Sequence, residues 1–148
     1  MNYDLNRFLK AQELTYPWAL REIKNGVKQT HWMWFIFPQL KALGRSHTAL
    51  YYGIEDIDEA KQYLAHPVLG VRLKEISEVL LNLETNDPYK VMGDIDALKL
   101  RSSMTLFAEI EGYDSIFGKI IDKYYDGNKD MNTIHLLNIG CKDGRYAK

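Results

Sequence analysis

Cysteine is almost absent from this 148-residue sequence, in which Cys141 is the single one. One thiol cannot form an intrachain disulfide or a cysteine-based zinc site, and a lone thiol fits a reducing compartment. Cys141 lies among glycine and lysine residues near the C-terminus, in a segment typical of a fraying tail. We therefore expect it to have no role as a nucleophile.

Long apolar runs are also missing. The longest extends only from Trp32 to Pro38, far short of the length that spans a membrane. The polar segment from Met1 to Arg7 lacks the basic and then apolar plan of a signal peptide. The sequence therefore predicts a cytoplasmic protein without membrane association.

Neither sign of charge is in excess, because 19 Lys and Arg stand against 20 Asp and Glu, for a net charge of −1. Proteins that bind duplex nucleic acid usually carry a strong basic excess, so we expect no double-stranded nucleic acid as a partner. The sequence has no glycine-rich phosphate loop, no nucleophile elbow and no dinucleotide fingerprint, and its histidines are not paired on one helical turn. The absence of these motifs argues against the common nucleotide-hydrolysing and hydride-transferring folds. We expect no metal and no cofactor.

Most of the sequence has apolar residues at the spacing of α-helices. Capping residues, prolines and glycines divide the chain into about eight helices, many of them short. The sequence predicts an all-α single domain over residues 1–139, built as an orthogonal or irregular bundle, with a mobile C-terminal tail over residues 140–148. The clearest helix, from Pro67 to about Leu83, has apolar residues at spacings of three and four: Val68, Leu69, Leu73, Ile76, Leu80 and Leu83.

Two prolines mark boundaries in the first forty residues. Asp4 is the predicted cap of a first helix, and Thr15 of a second one that has Pro17 in its first turn. We therefore expect two short helices before Gly26. Thr30 as a cap and Pro38 as a stop predict a short buried helix between them.

The segment from His31 to Gln39 is unlike an ordinary amphipathic helix, because it has two Trp and two Phe within six residues. In a helix these rings spread around the axis, so some must face a cleft or a second cluster. Trp32 and Trp34 are candidates to stack on a planar ligand, with core packing as the alternative. His31 is the candidate catalytic residue, since imidazole is the usual proton-transfer group near neutral pH; the alternative is a histidine bonded to a backbone carbonyl.

A second polar cluster lies between Lys99 and Phe107. Lys99, Ser102 and Ser103 share one face of a helix, and Thr105 follows closely. A lysine beside hydroxyl groups suits an anion such as phosphate, whereas serines that pack closely between helices are the alternative. Arg45, in the turn after Gly44, is a further candidate for a positive lining.

These segments resemble a known family, the bacterial and fungal domain of unknown function family 1810, which includes helical mycobacterial-type proteins without an assigned activity. The resemblance extends over about residues 4–137. It implies an all-α, single-domain fold and implies no activity. The matching segments are His31-Trp32-Met33-Trp34-Phe35-Ile36-Phe37-Pro38-Gln39, Gly44-Arg45-Ser46, Tyr63-Leu64-Ala65-His66-Pro67-Val68-Leu69-Gly70, Arg72-Leu73 and Lys99-Leu100-Arg101-Ser102-Ser103-Met104-Thr105-Leu106-Phe107.

Two functional hypotheses follow from the two clusters. The leading one is a small enzyme or ligand-binding protein whose polar pocket, between the clusters, takes an anionic, partly planar molecule of nucleotide type. The rival is a non-catalytic interaction module with an aromatic surface patch. In the leading hypothesis the pocket residues are His31, Trp32, Trp34, Gln39, Arg45, Lys99, Ser102, Ser103 and Thr105.

Overall fold

Side-chain caps begin some of the helices in the structure, a computed structural model that describes residues 3–142. Ser46 caps one helix by accepting a hydrogen bond from Ala49 N at 3.1 Å, and Asp56 caps another by accepting one from Glu59 N at 2.9 Å. The first helix, for which Asp4 is the predicted cap, begins without a side-chain cap, and so does the helix that follows Ser115. The helices are α1 (Asn6–Lys24), α2 (Met33–Ile36), α3 (His47–Tyr51), α4 (Ile57–Ala65), α5 (Leu69–Asn82), α6 (Pro88–Met92), α7 (Asp94–Glu111), α8 (Ile116–Tyr125) and α9 (Met131–Lys142), with one 3₁₀ turn at Lys41–Leu43.

The expected break at Pro17 is wrong, because α1 continues through this residue to Lys24. The buried face of α1 stays in register across the proline, at spacings of four, four, three and four residues. Packing of that uninterrupted stripe against the core outweighs the one intrahelical hydrogen bond that proline cannot donate. The residues of the stripe are Phe8, Gln12, Tyr16, Ala19 and Ile23.

Helix α7 lies at the centre of the molecule. It contacts α4, α6, α8 and α9, while α5 packs on α1, α4 and α8. All residues from Ser102 to Ala108 are buried, so α7 is surrounded on every side over two turns. Its first turns, up to Lys99, reach the surface, and this end of the helix contributes to the candidate site.

The all-α fold is confirmed: residues 3–142 form nine α-helices in one domain, where the sequence predicts about eight, and no strand. A single parallel bridge joins Leu40 to Ile54, and Ile54 N donates to Gln39 O at 2.9 Å. The predicted boundary at residue 140 falls within α9, and residues 143–148 of the predicted tail lie outside the described part of the chain. Among the described helices, none has both the length and the apolar composition needed to cross a bilayer.

Gly70 allows the close approach of α5 to the end of α4. A Cβ atom at this position would lie 2.0 Å from the carbonyl oxygen of Leu64. We expect Gly70→Ala to lower the free energy of unfolding by about 2 kcal/mol or more, because the backbones must separate. Urea unfolding checks this, with the exposed Glu78→Ala on the same helix as the control; equal stabilities of the two variants would contradict it.

Candidate functional site

The aromatic run divides between the interior and the surface. Of the six residues 32–37, Trp34 and Phe35 retain part of their surface and the other four are buried. The Phe35 ring joins a separate aromatic group, with its centroid 5.1 Å from that of Tyr52. The rings therefore spread around the short helix α2 as its geometry predicts, and Trp34 is the one tryptophan of the run with an accessible face.

Trp32 cannot stack on a ligand in this structure, because its side chain is completely buried. Its indole Nε1 donates to Glu22 Oε1 at 2.9 Å, and its ring centroid lies 6.2 Å from that of Phe37. The role that the structure gives Trp32 is core packing, the alternative named from the sequence.

Glu22 binds the loop between α1 and α2 through four hydrogen bonds. Its carboxylate accepts from Gln29 N at 2.7 Å, Thr30 N at 3.0 Å, Thr30 Oγ1 at 2.6 Å and the Trp32 indole. Thr30 thus binds Glu22 and does not cap α2, whose start has no side-chain cap. Burial alone would raise the pKa of Glu22, but the hydrogen bonds from the loop and the indole outweigh it and hold this pKa below the ordinary value.

The same loop is tied to the start of α7 by a nearly buried ion pair. Lys28 Nζ lies 2.8 Å from Asp96 Oδ2, and the exposed fraction of the lysine side chain is 6%. Lys28 Nζ also lies 4.8 Å from the ring centroid of Trp32, and Lys28 N donates to Val91 O at 2.7 Å. These contacts fix the loop before α2 relative to α6 and to the start of α7.

Lys99 lies beside Trp34 at the surface. Its Nζ is 5.2 Å from the centroid of the indole ring and 3.9 Å from Asp96 Oδ1. Because Asp96 is bound more closely by Lys28, the pairing of Lys99 is loose. A cation without a close counterion, next to a half-exposed planar ring, is suited to bind an anion that carries an aromatic group.

Two surface clefts meet at Lys99. The first, which we call the α6–α7 cleft, has a volume of about 450 Å³ and includes the side chains of Lys28, His31, Trp34, Asp94, Asp96 and Lys99. The second, the α7–α9 cleft, has a volume of about 570 Å³ and includes Gln39, Arg45, Lys99, Arg101, Ser102 and Asp130.

The structure therefore brings most of the sequence-predicted residues to one region. His31 and Lys99 line the α6–α7 cleft together, and Gln39 and Arg45 meet Lys99 in the α7–α9 cleft. His31 and Arg45 are exposed, whereas Gln39 and Trp34 are half-buried.

The predicted hydroxyl groups of α7 have packing roles. Ser103 and Thr105 are completely buried, and Ser102 is 8% exposed at the edge of the cleft. Ser102 Oγ donates to Asp130 Oδ2 at 3.0 Å, and Thr105 Oγ1 accepts from Asp130 N at 3.0 Å. The hydroxyl groups of Ser102 and Thr105 thus bind the start of α9 to α7. Of the three hydroxyl groups predicted to join Lys99 in an anion site, only that of Ser102 lines a cleft with this lysine.

Sequence reasoning missed several residues of this region. Glu22 and Lys28 lie on α1 and its following loop without a local motif, and their partners are known only from the fold. Asp94 and Asp96 lie in the first turn of α7, and the structure adds that both line the α6–α7 cleft. Within residues 3–139, whose side chains the structure describes, no three His, Cys, Asp or Glu side chains are grouped so that they could hold a metal ion.

Comparison with known proteins agrees with the motifs. A family model described as "Protein of unknown function (DUF1810)" matches residues 2–137. The chain belongs to this family. Among solved structures, the chain is similar to the conserved hypothetical protein Rv1873 from Mycobacterium tuberculosis, with 42% identity, a TM-score of 0.89 and coverage of 92% of this chain and 97% of that chain. No curated protein matches the sequence.

The DUF1810 match confirms the family resemblance, and the similar crystal structure supports the all-α fold. Neither comparison carries an activity, so a function for this DUF1810 chain has to be argued from its own residues.

The lowered pKa of Glu22 makes the stability of this region depend on pH. Because the folded-state pKa is the lower one, the carboxylate stabilises the fold above its unfolded pKa, and this contribution is lost as the pH falls through the folded pKa. We expect Glu22→Gln to lower the free energy of unfolding by about 2 kcal/mol at pH 7. The difference from wild type should shrink in acid, and denaturant unfolding over a pH series measures it. A difference that stays constant down to strongly acidic pH would contradict the role of the charge.

Proposed function

We propose that this DUF1810 protein binds an anionic, partly planar small molecule of nucleotide type across the two clefts that meet at Lys99. One observation carries the proposal: Lys99 Nζ lies 5.2 Å from the half-exposed Trp34 ring, and the same lysine lines both clefts. The cation would hold the anionic group, and the indole would contact the planar part of the ligand.

The dimensions of the region support a small ligand. Volumes of about 450 and 570 Å³ fall in the range of small-molecule sites in proteins. The walls include Met33 and Ile95 as well as polar groups, and such a mixture is typical of ligand sites.

The rival interaction module loses its main support, because four of the six residues in the aromatic run are buried. The most exposed aromatics of the described residues, Trp18, Tyr51 and Tyr89, lie on three separate helices, α1, α3 and α6, and line neither cleft. We therefore favour ligand binding.

Replacing Lys99 tests the proposal directly. A ligand that binds only the folded protein raises its melting temperature by mass action, so a thermal-shift screen with nucleotides and sugar phosphates should give a hit. We expect Lys99→Ala to weaken binding of that hit about tenfold or more in titration calorimetry, because a charge-assisted contact is lost.

A matched control exists elsewhere on the surface. Arg21 lies 4.8 Å from the ring centroid of the exposed Trp18, a similar cation–ring pair that lines neither cleft. Arg21→Ala should leave binding unchanged. Equal losses in the two variants, or a screen without any hit, would contradict the proposal.

His31 is proposed as the proton-transfer residue if the ligand is a substrate. It is exposed at the edge of the α6–α7 cleft and makes no hydrogen bond or ion pair with the rest of the described chain. We expect His31→Ala to abolish or greatly weaken binding while the free energy of unfolding changes by less than about 0.5 kcal/mol. A loss above roughly 3 kcal/mol would instead mark a structural residue.

A further inference from the structure

The two clefts differ in their charge. The α6–α7 cleft has two cations, Lys28 and Lys99, and two carboxylates, Asp94 and Asp96. The α7–α9 cleft instead has three cations and the single carboxylate of Asp130. An anionic group therefore meets a positive environment in the α7–α9 cleft and a balanced one in the α6–α7 cleft.

The cations of the α7–α9 cleft lack close carboxylate partners. Arg45 is exposed and has no ion pair with another described residue. Arg101 donates only to backbone carbonyls, from Nε to Asn128 O at 2.7 Å and from its terminal nitrogen to Lys129 O at 3.0 Å. Lys99 has its nearest carboxylate oxygen at 3.9 Å. All three positive charges thus remain available to an incoming anion.

The single carboxylate of this cleft is occupied internally. Asp130 Oδ2 accepts from Ser102 Oγ at 3.0 Å, from Thr133 Oγ1 at 2.6 Å and from Thr133 N at 3.2 Å. These bonds hold the carboxylate at the start of α9. Its charge is still present, but the cations outnumber it by two.

The α6–α7 cleft also has a carboxylate without a partner among the described side chains. Asp94 is exposed and makes no hydrogen bond or ion pair with any other described side chain. A free carboxylate oxygen can accept a hydrogen bond from an N–H group of a planar ligand. Trp34, which supplies the ring surface, lines the same cleft.

From this difference we infer the orientation and the chemical class of the ligand, an inference that rests on the proposed function. The ligand is a purine nucleotide with an exocyclic amino group on its base. Its phosphate lies in the α7–α9 cleft against Arg45, Lys99 and Arg101. Its base lies beside Trp34 in the α6–α7 cleft, with the amino group directed to Asp94. Lys99, at the junction, contacts the phosphate side.

Two pairs of nucleotides that differ by one amino group test the inference by titration calorimetry. They are AMP with purine riboside 5′-monophosphate, and GMP with inosine 5′-monophosphate. We expect the wild-type protein to prefer the amino-bearing member of at least one pair by about tenfold, the contribution of one hydrogen bond to a charged group. Asp94→Ala should bring that ratio close to one.

Arg45→Ala should act differently, because it removes a phosphate contact. It should weaken both members of each pair by about the same factor, roughly tenfold, and leave their ratio unchanged. The exposed residues Lys119 and Asp122 line neither cleft, so Lys119→Ala and Asp122→Asn serve as controls of matched charge change.

The outcomes separate the two proposals. The orientation would be overturned if wild type bound both members of each pair equally. It would also be overturned if Arg45→Ala altered the affinity ratio and Asp94→Ala did not. Either result would leave the proposed function standing. If wild type binds none of the four nucleotides but binds another anionic, planar hit from the screen, the nucleotide class is overturned. If no anionic, planar compound binds, the proposed function fails as well.

Discussion

The carboxylate of Glu22 is the interaction on which the candidate site depends most. It gathers two backbone N–H groups of the loop, the hydroxyl of Thr30 and the buried indole N–H of Trp32. Without this acceptor, the N–H group of the fully buried Trp32 indole would be left unpaired, at a cost of about 1–3 kcal/mol. Since Trp32 directly precedes α2, the hydrogen bond to its indole also sets where Trp34 emerges. The position of a surface ring is thus determined by a buried anion.

Helix α7 joins the same region to the core from the other side. Its middle is enclosed by other helices, and its first turns present Asp96 and Lys99 to the clefts. The ion pair between Lys28 and Asp96, at 2.8 Å and largely withdrawn from water, links the loop to this helix. Because that pair occupies Asp96, Lys99 is left with only a loose counterion. This one ion pair therefore holds the loop against α7 and also leaves Lys99 without a close counterion.

Sequence patterns predicted the helices well where one amphipathic stripe was continuous, as in α5, and failed where a local signal opposed tertiary packing. Pro17 indicates a helix break that the structure does not have, because the buried stripe from Phe8 to Ile23 continues across it. The composition of the site was predictable in part: His31, Trp34, Gln39, Arg45 and Lys99 do line the clefts. Which polar residues are enclosed was not predictable, because the burial of Thr105 and the bonds of Ser102 and Thr105 to Asp130 arise only in the fold.

The remaining candidate residues differ from structural polar residues in whether their side chains have hydrogen-bond or ion-pair partners within the protein. Glu22, Lys28, Ser102 and Asp130 have partners within the protein, so their chemistry is already used in folding. Arg45 and Asp94 have none among the described residues, and they lie in different clefts. A net charge of −1 hides this separation, because composition averages over the whole surface. Arg45 follows the 3₁₀ turn Lys41–Leu43 and Asp94 begins α7, and the fold brings each of them into a cleft that Lys99 also lines. This separation of charge is the basis of the ligand orientation that we infer.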